Sequence, residues 1–403
     1  MVNKRMGAKI ALILVTLAVL FTACKSMPAV VEVSPDKLVA GQELAAWKGK
    51  WVSTYTVMND ESLNAAYKKT AEGMPYYTEG GLKAAVKDMY GSSVTAMKFN
   101  GTNKVTLTMQ KKDGSKSNVV CEYKYMGTKA VPGYEGSLWY TFEAVNPGKE
   151  LQAVKNMIIM PPHQHGDGPL HWHVRFGYYG FDWLINGEKS WPTFVPASTK
   201  KNDMLKGAES SIETMPKWTD AAPFKSYAEH GRWINSLLVF ENSSKEVMDV
   251  YAKLIKEFEG KNPKGGDFTR AEIIAELQKS DDSLKDFTHL EFNIKDGKNE
   301  LIVFKGSKEI FRSNYVRVAP GKAKAYMTMK AEKKDAGMFS LISFVVVHGA
   351  PNYHFHLWYG ATEEDIAAQR GTPTCYKVDV PADIRASGIE RSAKRTLSAL
   401  TGK

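Results

Sequence analysis

The chain has 403 residues, of which 43% are hydrophobic and 24% charged, ordinary for a folded protein and too apolar for a disordered one. Its length exceeds one typical domain, so two are expected. The net charge of +10 is spread along the sequence rather than gathered into a basic block interleaved with aromatics. That argues against nucleic acid as a partner and leaves a mild attraction to an anionic membrane surface.

Lys4, Arg5 and Lys9 precede an apolar run from Ile10 to Phe21, too short to cross a hydrocarbon core of about 30 Å. Residues 1–23 therefore read as a secretory signal peptide. The run ends in Phe21-Thr22-Ala23-Cys24, which resembles the bacterial lipobox, apart from phenylalanine where leucine is usual. The resemblance implies that Cys24 takes up diacylglycerol as the lipidation site. Residues 24–40, with Pro28 and Pro35, then form a tether, and the mature protein is a membrane-anchored lipoprotein of the periplasm or cell surface. The other two cysteines, Cys121 and Cys375, allow one long-range bridge at most.

Beyond the tether, Gly49-Lys50-Trp51 opens a strand, and Leu82, Val86 and Met89 mark a helix ended by Gly91. Val94 to Phe99 runs into an Asn100-Gly101 hairpin signal. Alternation continues through Val105, Leu107 and Met109, then Val119, Cys121, Tyr123 and Tyr125, then Leu138, Tyr140 and Phe142. A surface helix is expected near 201–215. In the second half, Ser243 and Glu246 suggest a capping box before Val247, Val250, Leu254 and Phe258. Thr269 and Glu272 start another helix. Phe292 and Ile294 meet an Asp296-Gly297 turn before Leu301 and Val303, and a last helix is expected near 383–400.

The halves correspond. Gly49-Lys50-Trp51 recurs as Gly231-Arg232-Trp233, His171-Trp172-His173 as His354-Phe355-His356, Gly177 as Gly360, and Pro192-Thr193-Phe194 as Pro373-Thr374-Cys375. Four landmarks in one order at nearly constant offset make the chain two copies of one domain. Antiparallel strands after an early Gly-x-Trp predict a closed or nearly closed barrel in each copy, mainly β with helical insertions. Trp51 and Trp233 are expected to plug the barrels, Trp191 to pack, and Cys121 to be a buried inert thiol. Cys375, after a turn, could be accessible.

Seven of the nine histidines lie in two windows: His163, His165, His171 and His173, then His348, His354 and His356. Residues i and i+2 of a strand share a face with Cα atoms about 6.6 Å apart, so both imidazoles of a His-x-His can reach one ion at Zn–N distances of about 2.0–2.1 Å. A third ligand can come from His163 or His165 across Gly166-Asp167-Gly168-Pro169, and from His348 across Gly349-Ala350-Pro351. Asp167 is a weaker candidate. Imidazole favours zinc, copper or nickel over calcium or magnesium. Affinity should fall as pH drops through about 6.5, the ordinary imidazole range.

Trp47-x-Gly49-x-Trp51, Cys121-x-Tyr123-x-Tyr125-x-Gly127, His171-x-His173 before Gly177, and Trp191-Pro192-Thr193-Phe194-Val195-Pro196 together resemble the ZinT (YodA) family of periplasmic zinc-binding proteins. The resemblance covers about residues 41–215 and, more weakly, 222–400. It implies two calycin-like (lipocalin-like) β-barrel domains in tandem, at 41–215 and 222–403. It also implies zinc held by three histidines near a barrel mouth and periplasmic zinc acquisition with delivery to an ABC-type importer. His171 and His173 match the family's pair, and His354 and His356 follow by repeat. The family's other histidine, nine residues before the pair, has no match at that register, so His163, His165 and His348 stand in by proximity. The family's histidine-rich N-terminal stretch is missing.

The expected function is extracytoplasmic capture or buffering of zinc for uptake. An enzyme is disfavoured, because no His-Glu-x-x-His helix or other recognisable carboxylate base accompanies the histidines. The alternative is a lipocalin-like carrier of a small apolar ligand.

Overall fold

A computed structural model describes residues 33–111, 113–132, 137–166, 168–178, 180–186, 190–218, 223–279, 281–321 and 327–402. The expected signal peptide (residues 1–23) and Cys24 lie outside the described residues, as does Asp167.

The described strands form two closed antiparallel barrels. The first runs β1 (Gly49–Ser53), β2 (Val94–Phe99), β3 (Lys104–Gln110), β4 (Lys116–Ala130), β5 (Leu138–Ala144), β6 (Asn156–Ile159), β7 (Trp172–Gly177) and β8 (Thr193–Pro196). Each strand pairs with the next, and β8 returns to β1 with Val52 opposite Val195. The second runs β9 (Arg232–Asn235), β10 (His289–Lys295), β11 (Lys298–Lys305), β12 (Lys308–Val318), β13 (Met327–Ala331), β14 (Leu341–Phe344), β15 (His354–Gly360) and β16 (Thr374–Lys377). It closes with Tyr376 opposite Ile234. Closure leaves no unpaired edge, which is the physical advantage of ending a meander this way.

The period-2 pattern sets each interior. Val105, Leu107, Cys121, Tyr123, Tyr140, Phe142, Trp172, Val174 and Phe194 are all buried in the first barrel's core. Trp172 stacks on Phe194 with centroids 4.9 Å apart. Trp51 donates its indole N–H to the Trp47 carbonyl at 2.7 Å, and Trp47 donates to that of Met160 at 2.9 Å, so both buried indoles are satisfied. In the second barrel, Phe224, Tyr227, Trp233, Phe292, Phe344 and Phe355 fill the same role. Trp233 donates to the Tyr227 carbonyl at 3.0 Å.

Several expectations change in detail. Ser243 does not cap its helix: the helix is Lys245–Glu257 and its N-cap is Ser244, because Asn242 takes the Ser244 N–H in a local turn that delays the helix by one residue. The Thr269–Glu272 capping box is present. Asp296 and Gly297, with φ of 48° and 67°, make the two-residue hairpin. Asn100 instead accepts from Thr102 in a longer loop that reaches β3 only at Lys104. Cys375 is not accessible. It is fully buried in the second core, Cys121 is buried in the first, and both thiols are free.

The compact units cut the chain differently from the repeat. One holds Met89–Ala208 with the residues up to Asn59; the other holds Asp60–Asp88 with Glu209–Lys403. The helices Asn64–Glu72 and most of Glu79–Tyr90, which lie inside the 41–215 copy, thus group with the second barrel. There the Thr78 N–H donates to the Arg317 carbonyl at 3.0 Å and the Arg317 N–H to that of Tyr76 at 2.8 Å. The described end of the expected tether is part of the first barrel's packing instead: Val33 and Leu38 lie on the first core, and the Tyr140 hydroxyl donates to the Val33 carbonyl at 2.9 Å. No helix among the described residues is long and apolar enough to cross a membrane.

Candidate metal centres

Strand alternation decides where the histidines point. Trp172 and Val174 enter the first core, so His171 and His173 project from the opposite face of the sheet. Phe355 and Leu357 enter the second core, and His354 and His356 project likewise. The interiors are thus not the sites.

The upstream histidine joins each pair through one backbone device. His163 and His171 exchange N–H···O bonds at 2.8 and 2.9 Å, forming an isolated antiparallel bridge. His348 and His354 do the same at 2.9 and 3.0 Å. Ring centroids are 4.4 Å apart for His163–His171, 5.3 Å for His163–His173 and 5.2 Å for His171–His173. The second cluster repeats them at 4.2, 5.2 and 5.6 Å for His348–His354, His348–His356 and His354–His356. His165 adds a fourth ring to the first cluster only, 5.0 Å from His163 and 5.4 Å from His171.

The ligand nitrogens of His348, His354 and His356 lie within 4.8 Å of one another, as do those of His163, His165 and His171. By that criterion His165 replaces His173 in the first group. We take His163, His171 and His173 as the equivalent set because they repeat both the geometry and the hydrogen bonds of the second cluster, with His165 additional.

Those hydrogen bonds set the tautomers. Nδ1 of His163 lies 2.9 Å from the Pro161 carbonyl, and Nδ1 of His171 lies 2.9 Å from that of Pro169. Nδ1 of His348 and His354 each lie 2.8 Å from the carbonyls of Val346 and Asn352. A carbonyl can only accept, so the proton sits on Nδ1 in all four and Nε2 keeps its lone pair. His173 and His356 meet hydroxyls instead, Thr193 Oγ1 at 2.9 Å and Thr374 Oγ1 at 3.1 Å. Each threonine gives its own proton to a carbonyl, that of Trp191 at 3.0 Å or Thr372 at 2.7 Å, and so accepts from the ring. All six imidazoles present a bare Nε2, the form in which imidazole ligates a metal.

Burial reinforces this. It pushes His171 and His356 down to about 4, His173 well below the usual imidazole value, and His163 and His354 down as well, with neighbouring imidazoles adding to the effect. These rings are neutral at pH 7, and the decline in affinity expected near pH 6.5 moves lower for them. Trp191 packs as expected, its ring 4.7 Å from His173 and 5.2 Å from Trp139.

The threonines are what the sequence reading passed over. Pro192-Thr193 and Pro373-Thr374 stood out as repeat landmarks, yet only strand pairing sets them opposite the histidines: His173 faces Thr193, and His356 faces Thr374.

A closed eight-stranded meander bearing a cluster of Nε2-presenting imidazoles on its outer face defines a lipocalin-like barrel suited to a borderline-soft divalent ion. Residues 30–209 match the family model described as ZinT (YodA) periplasmic lipocalin-like zinc-recruitment. The Zn(II)-bound ZinT-like domain of Streptococcus pneumoniae AdcA is 19% identical, covering 45% of this chain and 94% of its own, with a TM-score of 0.31. Zn(II)-bound AdcA from the same organism is 19% identical over 47% of this chain, with a TM-score of 0.31; the matched part spans 39% of AdcA. No curated protein matches the chain.

Proposed function

We propose that this protein is a zinc-binding lipoprotein outside the cytoplasm, anchored through Cys24, which captures or buffers zinc for an ABC-type importer. Zinc is its cargo, taken at His163, His171 and His173 in the first repeat (about 41–215) and at His348, His354 and His356 in the second (222–403). The observation that carries the reading is the committed Nδ1 of all six rings. Imidazoles so oriented present Nε2, the form that ligates a metal, and His348, His354 and His356, like His163, His165 and His171, bring ligand nitrogens within 4.8 Å of one another. The family's zinc-recruitment description supports the choice of ion. Both candidate clusters consist of imidazoles, whereas a hydrolytic zinc site adds a carboxylate base, so we read a binding protein rather than an enzyme. A small-molecule carrier needs an interior cavity, and buried aromatics fill both barrels.

The test is zinc stoichiometry by mass spectrometry and calorimetry. We expect two ions on the chain and one on each of the double variants His171→Ala/His173→Ala and His354→Ala/His356→Ala. Failure of the chain to bind zinc tightly, or release of an apolar ligand that survives chelator, would overturn the reading.

A further inference from the structure

The two clusters differ in one respect that the repeat does not require. Between its bridged histidines the first repeat has the loop Gln164 to Leu170, and the second the shorter Gly349 to Tyr353. In the longer loop, the His165 carbonyl accepts from the Gly168 N–H at 3.1 Å and Gln164 donates to the Gly168 carbonyl at 2.7 Å. This turn carries the exposed His165 ring over His163 and His171. The shorter loop lies against its own histidine: a Cβ on Gly349 would overlap Cε1 of His354. Gly349, Ala350 and Pro351 offer no donor side chain, the Asn352 main-chain carbonyl already holds His354 while its side-chain amide lies against Gly388, and the Tyr353 ring packs on His230 at 4.6 Å. Among the described residues, only three metal-ligating side chains group there.

We infer that the clusters are kinetically distinct sites: His165 completes a four-imidazole set that encloses zinc in the first barrel, while the second leaves its fourth position open to an incoming ligand. This rests on the zinc-binding reading above. Four protein ligands satisfy tetrahedral zinc, and an ion held by three keeps a water or an exchangeable ligand. Release from the closed site must first break a zinc–imidazole bond. At the open site a recipient's ligand can replace water before any protein bond is lost. The first barrel thus retains zinc, and the second exchanges it. His165 suits a closing role because its exposed ring can swing onto an ion already held by His163, His171 and His173 without disturbing packed core.

The full chain, loaded with zinc and counted by mass spectrometry, is mixed with excess chelator and release is followed in time. We expect a fast and a slow phase of equal amplitude. His165→Ala should accelerate the slow phase at least about tenfold and leave the fast phase unchanged; His354→Ala/His356→Ala should abolish the fast phase. In the cobalt-loaded chain, thiocyanate should alter the visible bands of one ion of the two, and of both in His165→Ala. Fewer than two ions at the start overturns the zinc-binding reading itself. Two ions leaving in a single phase, or a slow phase indifferent to His165→Ala, overturns this inference alone.

Discussion

The Thr193 hydroxyl accepts the Nδ1 proton of His173 at 2.9 Å while giving its own to the Trp191 carbonyl at 3.0 Å. Thr374 does the same for His356, between 3.1 and 2.7 Å. The side chain is a one-way relay: because its proton is already committed, it cannot donate to the ring, and the imidazole is locked with Nε2 bare. Thr193→Val keeps the shape and removes the acceptor. We expect it to weaken zinc binding at the first site by about 10–100-fold, measured by chelator competition in the His354→Ala/His356→Ala background. Thr374→Val should do the same at the second site in the reciprocal background. Equal affinity with and without the hydroxyl would remove the relay from the account.

Gly349→Ala tests the shorter loop. Gly349 has φ of +79°, costly for alanine by about 1–2 kcal/mol, and the new methyl would overlap the His354 ring. The ring must move, and the Asn352 carbonyl that fixes it is lost. Calorimetry should show the second site weakened by at least about tenfold and the first unchanged.

Acid should weaken the metal-free fold through its buried imidazoles. His171 and His356 are held down to about 4 by burial, against an unfolded value of about 6.5. Between those pH values the unfolded chain binds protons that the folded chain refuses, so stability is intact above about 6.5 and declines as pH falls towards 4. Urea midpoints between pH 7.5 and 4 should trace this slope. His171→Gln/His356→Gln should flatten it, and an unchanged slope would show that these rings do not carry it.

The two free thiols should be silent. Burial pushes Cys121 up to about 11 and Cys375 well above the usual thiol range, and both sit in barrel cores. A thiol-reactive disulfide reagent should modify neither at pH 8 until denaturant is added. Rapid labelling of Cys375 in the native chain would contradict its burial.

Much of this architecture is legible in residue order. Alternation at Val105–Met109 and Val119–Tyr125 marks β3 and β4, Asp296-Gly297 marks a hairpin, and Thr269 with Glu272 marks a helix start. These signals depend on backbone period and on hydrogen bonds spanning three residues or fewer, which a linear reading contains. Ser243 is not the cap because the Ser244 N–H is taken by Asn242 Oδ1 in a local turn, so the helix starts one residue later. Cys375 was misjudged because its depth comes from closure of β16 on β9, a pairing of strands far apart in sequence.

By itself the sequence determined that the chain is two repeats of a β-rich domain, and that each repeat carries a His-x-His pair with another histidine upstream. Those facts lie in spacing and periodicity, which survive without a third dimension. Only the tertiary structure sets the upstream histidines beside the pairs, since a cross-strand bridge places His163 opposite His171 and His348 opposite His354. It also decided that the rings face away from the cores, and that two threonines about 20 residues downstream fix the tautomers of His173 and His356. The reason is that a ligand set is a property of convergence. Side chains become neighbours through strand register and barrel closure, and register is set by the packing of a whole sheet rather than by any local run of residues.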